Sequence, residues 1–169
     1  GTLSTYLPAA QPVTASQTLK IMSFNVLVTN RNYQSVIGEI EKHAPDVVTI
    51  IEYSRTWDAQ LKELKEIYPY AICEPRQHGY GAAIFSKYPL SDIQEHKLPA
   101  INIDIPFLSA VVSFEGQSIR LAALHVYSPT SQARFSFRNQ QFKKVAELLG
   151  DSDMPMLGVG DFNVTTWSP

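Results

Sequence analysis

A single cysteine, Cys73, stands in a chain of 169 residues, and that scarcity closes off several chemistries at once. One thiol cannot form an intramolecular disulfide or a cysteine-based zinc site. Its run, Tyr70-Ala71-Ile72-Cys73, is strand-like, which suits a buried structural thiol and leaves the redox compartment open. Long apolar runs are missing too: no window approaches the roughly 18 residues a membrane span needs, and no signal peptide is visible. Nor is there a charge excess. Basic residues number 14 against 16 acidic ones, for a formal charge of -2, so the overall basic footprint of a dedicated nucleic-acid binder is absent. No serine occupies a strained G-x-S-x-G turn, which leaves Ser-His-Asp hydrolysis unsupported. Gly79 and Gly81 lead into a strand rather than a helix, so they read as a tight turn and not as a phosphate-cradling loop.

What is present is globular. Hydrophobic residues make up 44% and charged residues 18%, and the length suits one domain with a sizeable core. Residues 1–18, rich in Thr, Ser, Ala and Pro, read as a linker or extended lead-in, and the domain is expected over 19–169. From Leu19 strands alternate with amphipathic helices. Strands are predicted over 19–26, 46–51, 70–73, 81–86, 93–98, 108–114, 118–126 and 154–162. Helices are predicted over 33–43 and 56–67, with a long one from a Thr130 cap to Leu149, stopped by Gly150. Glu115-Gly116-Gln117 reads as a hairpin turn. The order β-α-β-α, a run of strands, then α-β requires mixed sheets, most economically a sandwich with helices outside. A chain ending at Pro169, just past a strand tip, leaves a sheet edge short of partners, so a fragment of a longer domain is expected.

Chemistry concentrates at strand ends. In Met156-Leu157-Gly158-Val159-Gly160-Asp161-Phe162-Asn163 an apolar run ends in a carboxylate and a carboxamide two residues apart. Strand alternation sends Asp161 and Asn163 one way and Phe162 into the core. Asn25 closes the first strand, as a carboxamide for metal or phosphate or as a turn and cap residue. Glu52 emerges from the buried-type run Val47–Ile51, either as a solvated strand-end glutamate or as a ligand for a hard cation. His125 ends Leu121–Leu124, either as a hydrogen-bonded core histidine or as a group that binds or protonates a phosphate. His43 and His96 read as surface residues, and His78, in Arg76-Gln77-His78-Gly79-Tyr80-Gly81, is ambiguous. Tyr127, Arg134, Phe135, Phe137 and Arg138 read better as one helix face than as a lipid or base contact. Five polar groups (Asn25, Glu52, His125, Asp161, Asn163) at the same end of the strands can converge, and such ends are where α/β proteins bind ligands.

At these residues the chain resembles the endonuclease/exonuclease/phosphatase superfamily, which includes DNase I-like nucleases, inositol polyphosphate 5-phosphatases and sphingomyelinases. The segments that carry the resemblance are KIMSFNV, PDVVTIIE, GAAIFSKYPL, RLAALHVYSP and GDFN, in the family's order. The resemblance implies a four-layer α/β/β/α sandwich and hydrolysis of a phosphodiester or phosphomonoester by activated water, with Mg2+ or Mn2+ as cofactor. It implies Glu52 as main metal ligand with Asn25 in support, Asp161 to orient or deprotonate water, Asn163 to hold a phosphate oxygen, and His125 to stabilise or protonate the phosphate. The substrate it implies is a nucleic acid, inositol phosphate or phospholipid. Three departures stand beside it. Ile51 replaces the Gln that usually precedes the metal-binding Glu; no carboxylate near Gly81 matches the one that supports the histidine in some nucleases; and the family's C-terminal Asp-His pair has no place before Pro169. A C-terminally truncated member with little turnover is therefore expected, and a binding or scaffold domain of the same fold is the alternative. The lead-in and the ending Thr165–Pro169 are similar to a bacterial subgroup with membrane-anchored parents.

Overall fold

The computed structural model describes residues 18–100, 104–150 and 153–164; residues 1–17 of the predicted lead-in and the 165–169 ending lie outside them. Twelve elements follow in order: β1 (Ile21–Asn25), α1 (Tyr33–His43), β2 (Val47–Ile51), α2 (Arg55–Gln60), α3 (Leu64–Ile67), β3 (Tyr70–Glu74), β4 (Ala82–Ser86), β5 (Leu90–Leu98), β6 (Ile105–Phe114), β7 (Gln117–His125), α4 (Gln132–Leu149) and β8 (Met156–Asp161). They build two four-stranded mixed sheets, β1-β2-β4-β3 and β5-β6-β7-β8.

Each sheet contains one parallel pair, β1 with β2 and β7 with β8, and every other pairing is antiparallel. Parallel neighbours need a long crossover, and α1 and α4 supply it. Both helices lie on the outside. α1, α2 and α3 contribute Val36, Ile40, Trp57 and Leu64 to a cluster with Val48, Ile50, Ala83 and Phe85. The opposite faces of β2 and β4 (Val47, Ile51, Ile84) meet Leu108, Ala110, Leu121 and Ala123 of β6 and β7 between the sheets. Outside the second sheet, Val145 and Leu149 of α4 cover Ala122 and Leu124. This is the four-layer α/β/β/α sandwich. β2 and β4 are buried at every position because both faces are covered, which is why VVTII and AAIFS show no polar alternation.

The structure revises several local expectations. The predicted helix over 56–67 is two short helices. Leu64, Lys65 and Glu66 donate to carbonyls three residues back, tightening the chain so that Leu61 and Leu64 bury together. Ser131 rather than Thr130 caps α4, its Oγ accepting from the Arg134 N–H at 3.3 Å. Gly150 ends that helix without a left-handed turn (φ -83). Glu115 and Gly116, both left-handed, make the two-residue turn between β6 and β7. His96 is not a surface residue: its ring stacks on Phe107 and its Nε2 bonds the buried Ser109 hydroxyl at 2.8 Å.

Candidate active site

Parallel pairing brings the C-terminal tips of β1 and β2 together in one sheet and those of β7 and β8 together in the other. Asn25 sits opposite Ile51 and His125 opposite Asp161. Two close backbone approaches make this possible. A Cβ on Gly160 would stand 2.0 Å from the Leu124 carbonyl oxygen, and one on Gly81 would stand 1.9 Å from that of Tyr53. Only glycine lets β8 close on β7, and the chain entering β4 lie against the residue after Glu52.

At the shared end the side chains form one connected network. The Asn25 amide nitrogen donates at 3.1 Å to Glu52 Oε1 and at 3.1 Å to Asp161 Oδ2. Oxygens from two carboxylates, 109 residues apart in sequence, thus lie within twice that distance of each other. The Asn25 Oδ1 accepts the Leu27 N–H at 3.0 Å, which fixes the amide with its NH2 toward the carboxylates. Glu52 Oε2 accepts the Val28 N–H at 3.0 Å. Glu52 itself holds a left-handed backbone (φ 59), a strained conformation for a glutamate that clusters at functional sites.

His125 Nε2 lies 4.0 Å from Glu52 Oε1, and Nδ1 lies 3.1 Å from the Gly79 carbonyl. A carbonyl only accepts, so Nδ1 carries hydrogen, and the neutral ring turns a bare Nε2 toward Glu52. Tyr80 packs on the imidazole at 5.5 Å between centroids, and burial first of all pushes its phenol above the usual tyrosine range. Beyond Tyr80 a cavity of about 330 Å³ opens, with Arg55, Arg76 and His78 among its walls.

Asn163 is the exception to simple alternation. β8 ends at Asp161, and Asn163 is left-handed (φ 46). Its N–H donates to Asp161 Oδ1 at 2.9 Å while its side-chain amide donates to the Val126 carbonyl at 2.8 Å. Asn25, Glu52, Asp161 and Asn163 are therefore hydrogen-bonded into one network, Asn163 through its backbone, and His125 stands beside it with Nε2 4.0 Å from Glu52. Phe162 packs inward on Phe142. Sequence reasoning missed the Gly79 carbonyl, Tyr80 and Arg138, which donates to the Asn163 carbonyl at 3.1 Å. The only signal of Arg138 in the sequence was a basic residue, like Arg134, set among the aromatic residues of that segment.

Two convergent carboxylates, with no lysine or arginine bonded to either among the described residues, fit a divalent cation of hard character. Among the described residues no three His, Cys, Asp or Glu side chains stand so placed that they alone could hold a metal ion. Water and substrate oxygens would complete the shell, as Mg2+ prefers. Glu52 and Asp161 offer oxygens as they stand, whereas Asn25 offers an NH2.

No curated protein matches the chain. Solved structures do. The chain is 20% identical to a humanized D. rerio TDP2 carrying 14 mutations, covering 88% of this chain and 63% of that one at a TM-score of 0.75. It is 23% identical to D. rerio TDP2 complexed with single-strand DNA product, over 87% of this chain and 61% of that one, TM-score 0.74. A hairpin-deletion mutant of beta toxin from Staphylococcus aureus is 21% identical over 91% of this chain and 70% of that one, TM-score 0.70. These likenesses show the fold, and the chain spans less than two thirds of the TDP2 structures' length. Residues 22–169, which carry every residue of the network and, except for Ile21, both sheets, match the Endonuclease/Exonuclease/phosphatase family, and the chain belongs to it.

Proposed function

We propose that this chain houses a divalent-metal-dependent phosphoesterase site that hydrolyses a phosphate ester with activated water. The observation that carries the reading is the Asn25 amide held between the Glu52 and Asp161 carboxylates at one sandwich end. Two acids held this close in a half-buried site call for a cation, and phosphate-ester hydrolysis is the chemistry that uses both. A Mg2+ or Mn2+ ion held by Glu52 would neutralise charge on the phosphate oxygens.

The chain's own residues would do the rest. Asp161 Oδ2 faces the site while Oδ1 is committed to the Asn163 N–H, so Oδ2 is the oxygen available to orient a water or take its proton. His125, with Nδ1 tied to Gly79, presents Nε2, which can protonate a leaving oxygen only from the imidazolium form. Asn25 holds the two carboxylates in register. The Asn163 amide would have to exchange the Val126 carbonyl for a phosphate oxygen. The single-strand DNA held by the D. rerio TDP2 structure favours a nucleic acid or similar phosphodiester among the candidate substrates, which also include inositol phosphates and phospholipids.

Hydrolysis of bis(p-nitrophenyl) phosphate, p-nitrophenyl phosphate, single-stranded DNA and phospholipid vesicles with Mg2+ or Mn2+ tests the reading. Metal-dependent release, lost in Glu52→Gln, supports it, and inactivity on all four overturns it. A second reading, a binding domain of the same fold, is favoured by Ile51 beside Glu52 and by the Asn25 NH2 facing the cation position. Mn2+ binding by titration calorimetry without turnover would select it.

A further inference from the structure

Arg138 lies in the middle of α4 and is only 2% exposed. Its guanidinium stacks over Phe135 at 4.8 Å and Phe142 at 5.9 Å. No ion pair involves it among the described residues, and its Nε is buried without a partner. A buried cation without a counter-charge is costly, and a side chain kept for packing alone would be a leucine or methionine. What the charge does hold is polar backbone: Nη1 donates to the Asn163 carbonyl at 3.1 Å, while Nη2 reaches the Asn139 side chain at 3.3 Å.

Asn163 is the hinge on which Asp161 depends. Its left-handed backbone directs its N–H onto Asp161 Oδ1, and this bond leaves Oδ2 toward Asn25. Gln141, three residues further along α4 and fully buried, grips the Tyr127 N–H and the Pro99 carbonyl. One helix face thus holds the turns that leave both β7 and β8. Arg134, one turn earlier, is exposed over the Tyr127 ring.

We propose that Arg138 is a positioning residue for Asp161: by gripping the Asn163 carbonyl it fixes the turn after β8 and so selects the carboxylate oxygen that faces the site. The catalytic consequence rests on the phosphoesterase reading, whereas the positioning itself does not. Arg138→Met keeps the length and packing and removes the grip, and Arg138→Lys keeps a donor for the carbonyl. Two measurements decide: amide hydrogen exchange at Asn163, with Val145 in α4 as the internal control, and steady-state hydrolysis of bis(p-nitrophenyl) phosphate with Mn2+.

In Arg138→Met, Asn163 exchanges about tenfold faster or more while Val145 is unchanged. The kcat falls about ten- to a hundredfold with KM within about twofold, because orientation and not binding is lost. Unchanged Asn163 exchange overturns the proposal, as does faster exchange with an unchanged kcat. If Arg138→Met does not fold, Arg138→Lys decides. Asn163 protection and turnover near wild type support the grip on the carbonyl, and turnover lost with protection intact overturns it. A wild-type chain that hydrolyses nothing removes the functional reading, and the exchange arm alone then upholds or overturns the positioning.

Discussion

The same substitution, glycine to alanine, is expected to act with opposite signs at Gly81 and Gly38. At Gly81 a Cβ would meet the Tyr53 carbonyl oxygen at 1.9 Å, the Arg76 nitrogen at 2.6 Å and the Glu74 oxygen at 2.9 Å. All three are backbone atoms, so no side chain can swing aside. Relief requires moving the segment apart, which sacrifices the bonds from the Tyr53 N–H to the Gly81 carbonyl and from the Arg76 N–H to the Tyr53 carbonyl, both 3.0 Å. Two backbone hydrogen bonds at about 1 kcal/mol each, with about 1–3 kcal/mol of overpacking, put the cost near 4 kcal/mol. For a domain of this size that lowers Tm by roughly 8–16 °C. Gly38 faces open space in the middle of α1, where alanine gains about 0.5–1 kcal/mol from helix propensity and raises Tm by about 2 °C. Thermal melts followed by circular dichroism at matched concentration read both. A Gly81→Ala melt within about 3 °C of wild type would refute the reasoning, because it would mean that the segment before β4 yields freely and does not fix the residue after Glu52.

Glu52→Gln is expected to abolish stabilisation by Mn2+: at a hundredfold excess over Kd the wild type gains about 2.7 kcal/mol and the variant nothing, read by thermal shift with and without the ion. Equal shifts in both would exclude Glu52 as a ligand. His96 carries a pH dependence. Burial first, then Arg120, lowers its pKa, with Asp92 partly opposing, so the folded chain resists a proton that the unfolded chain accepts near ~6.5. Its contribution is present above that pH and is lost as pH falls below it. Wild type should therefore lose more Tm than His96→Gln between pH 7.5 and 5.5, and parallel losses would sink the assignment. Cys73 should react slowly: burial pushes its thiol up, so iodoacetamide at pH 7.5 should modify the native chain at least about tenfold more slowly than the urea-unfolded one.

Patterns that report burial were legible in the sequence. Val47–Ile51 reads as a strand covered on both faces, and it is one. The 33–43 helix falls where its apolar spacing puts it, and the five strand-end residues meet at one end of the sandwich, four of them hydrogen-bonded together and His125 4.0 Å from Glu52. What periodicity cannot report is the partner. Trp57, Leu61 and Leu64 fit one helix by spacing, yet packing against β2 and β4 is satisfied by two helices joined through tighter turns. His96 looks polar in its neighbourhood, but its cross-strand partner is Phe107, which draws the ring onto an aromatic face. Arg138 reads as part of an amphipathic stripe because nothing nearby in sequence discloses that its carbonyl partner lies 25 residues away. The orientation of the Asn25 amide is likewise decided by a local N–H, that of Leu27, and not by residue type.

The direction of each strand explains which site residues could be found. Parallel neighbours bring their C-terminal ends together, so the tips of β1 and β2, and those of β7 and β8, are forced to share a location once α1 and α4 set the crossovers. Polar residues at those tips therefore announce themselves as the residues that end apolar runs. β4 is antiparallel to β2, with Ile51 opposite Ala82, so it reaches the same location with its N-terminal end. Whatever it contributes there must precede its apolar run, in the loop that carries Gly79 and Tyr80. Those residues lie in the loop after β3, five and six positions past its end rather than at its tip, and one of them acts through a backbone carbonyl, which has no letter in the sequence. A mixed sheet thus writes half of such a site at the ends of its strands and hides the other half in the turns that begin them.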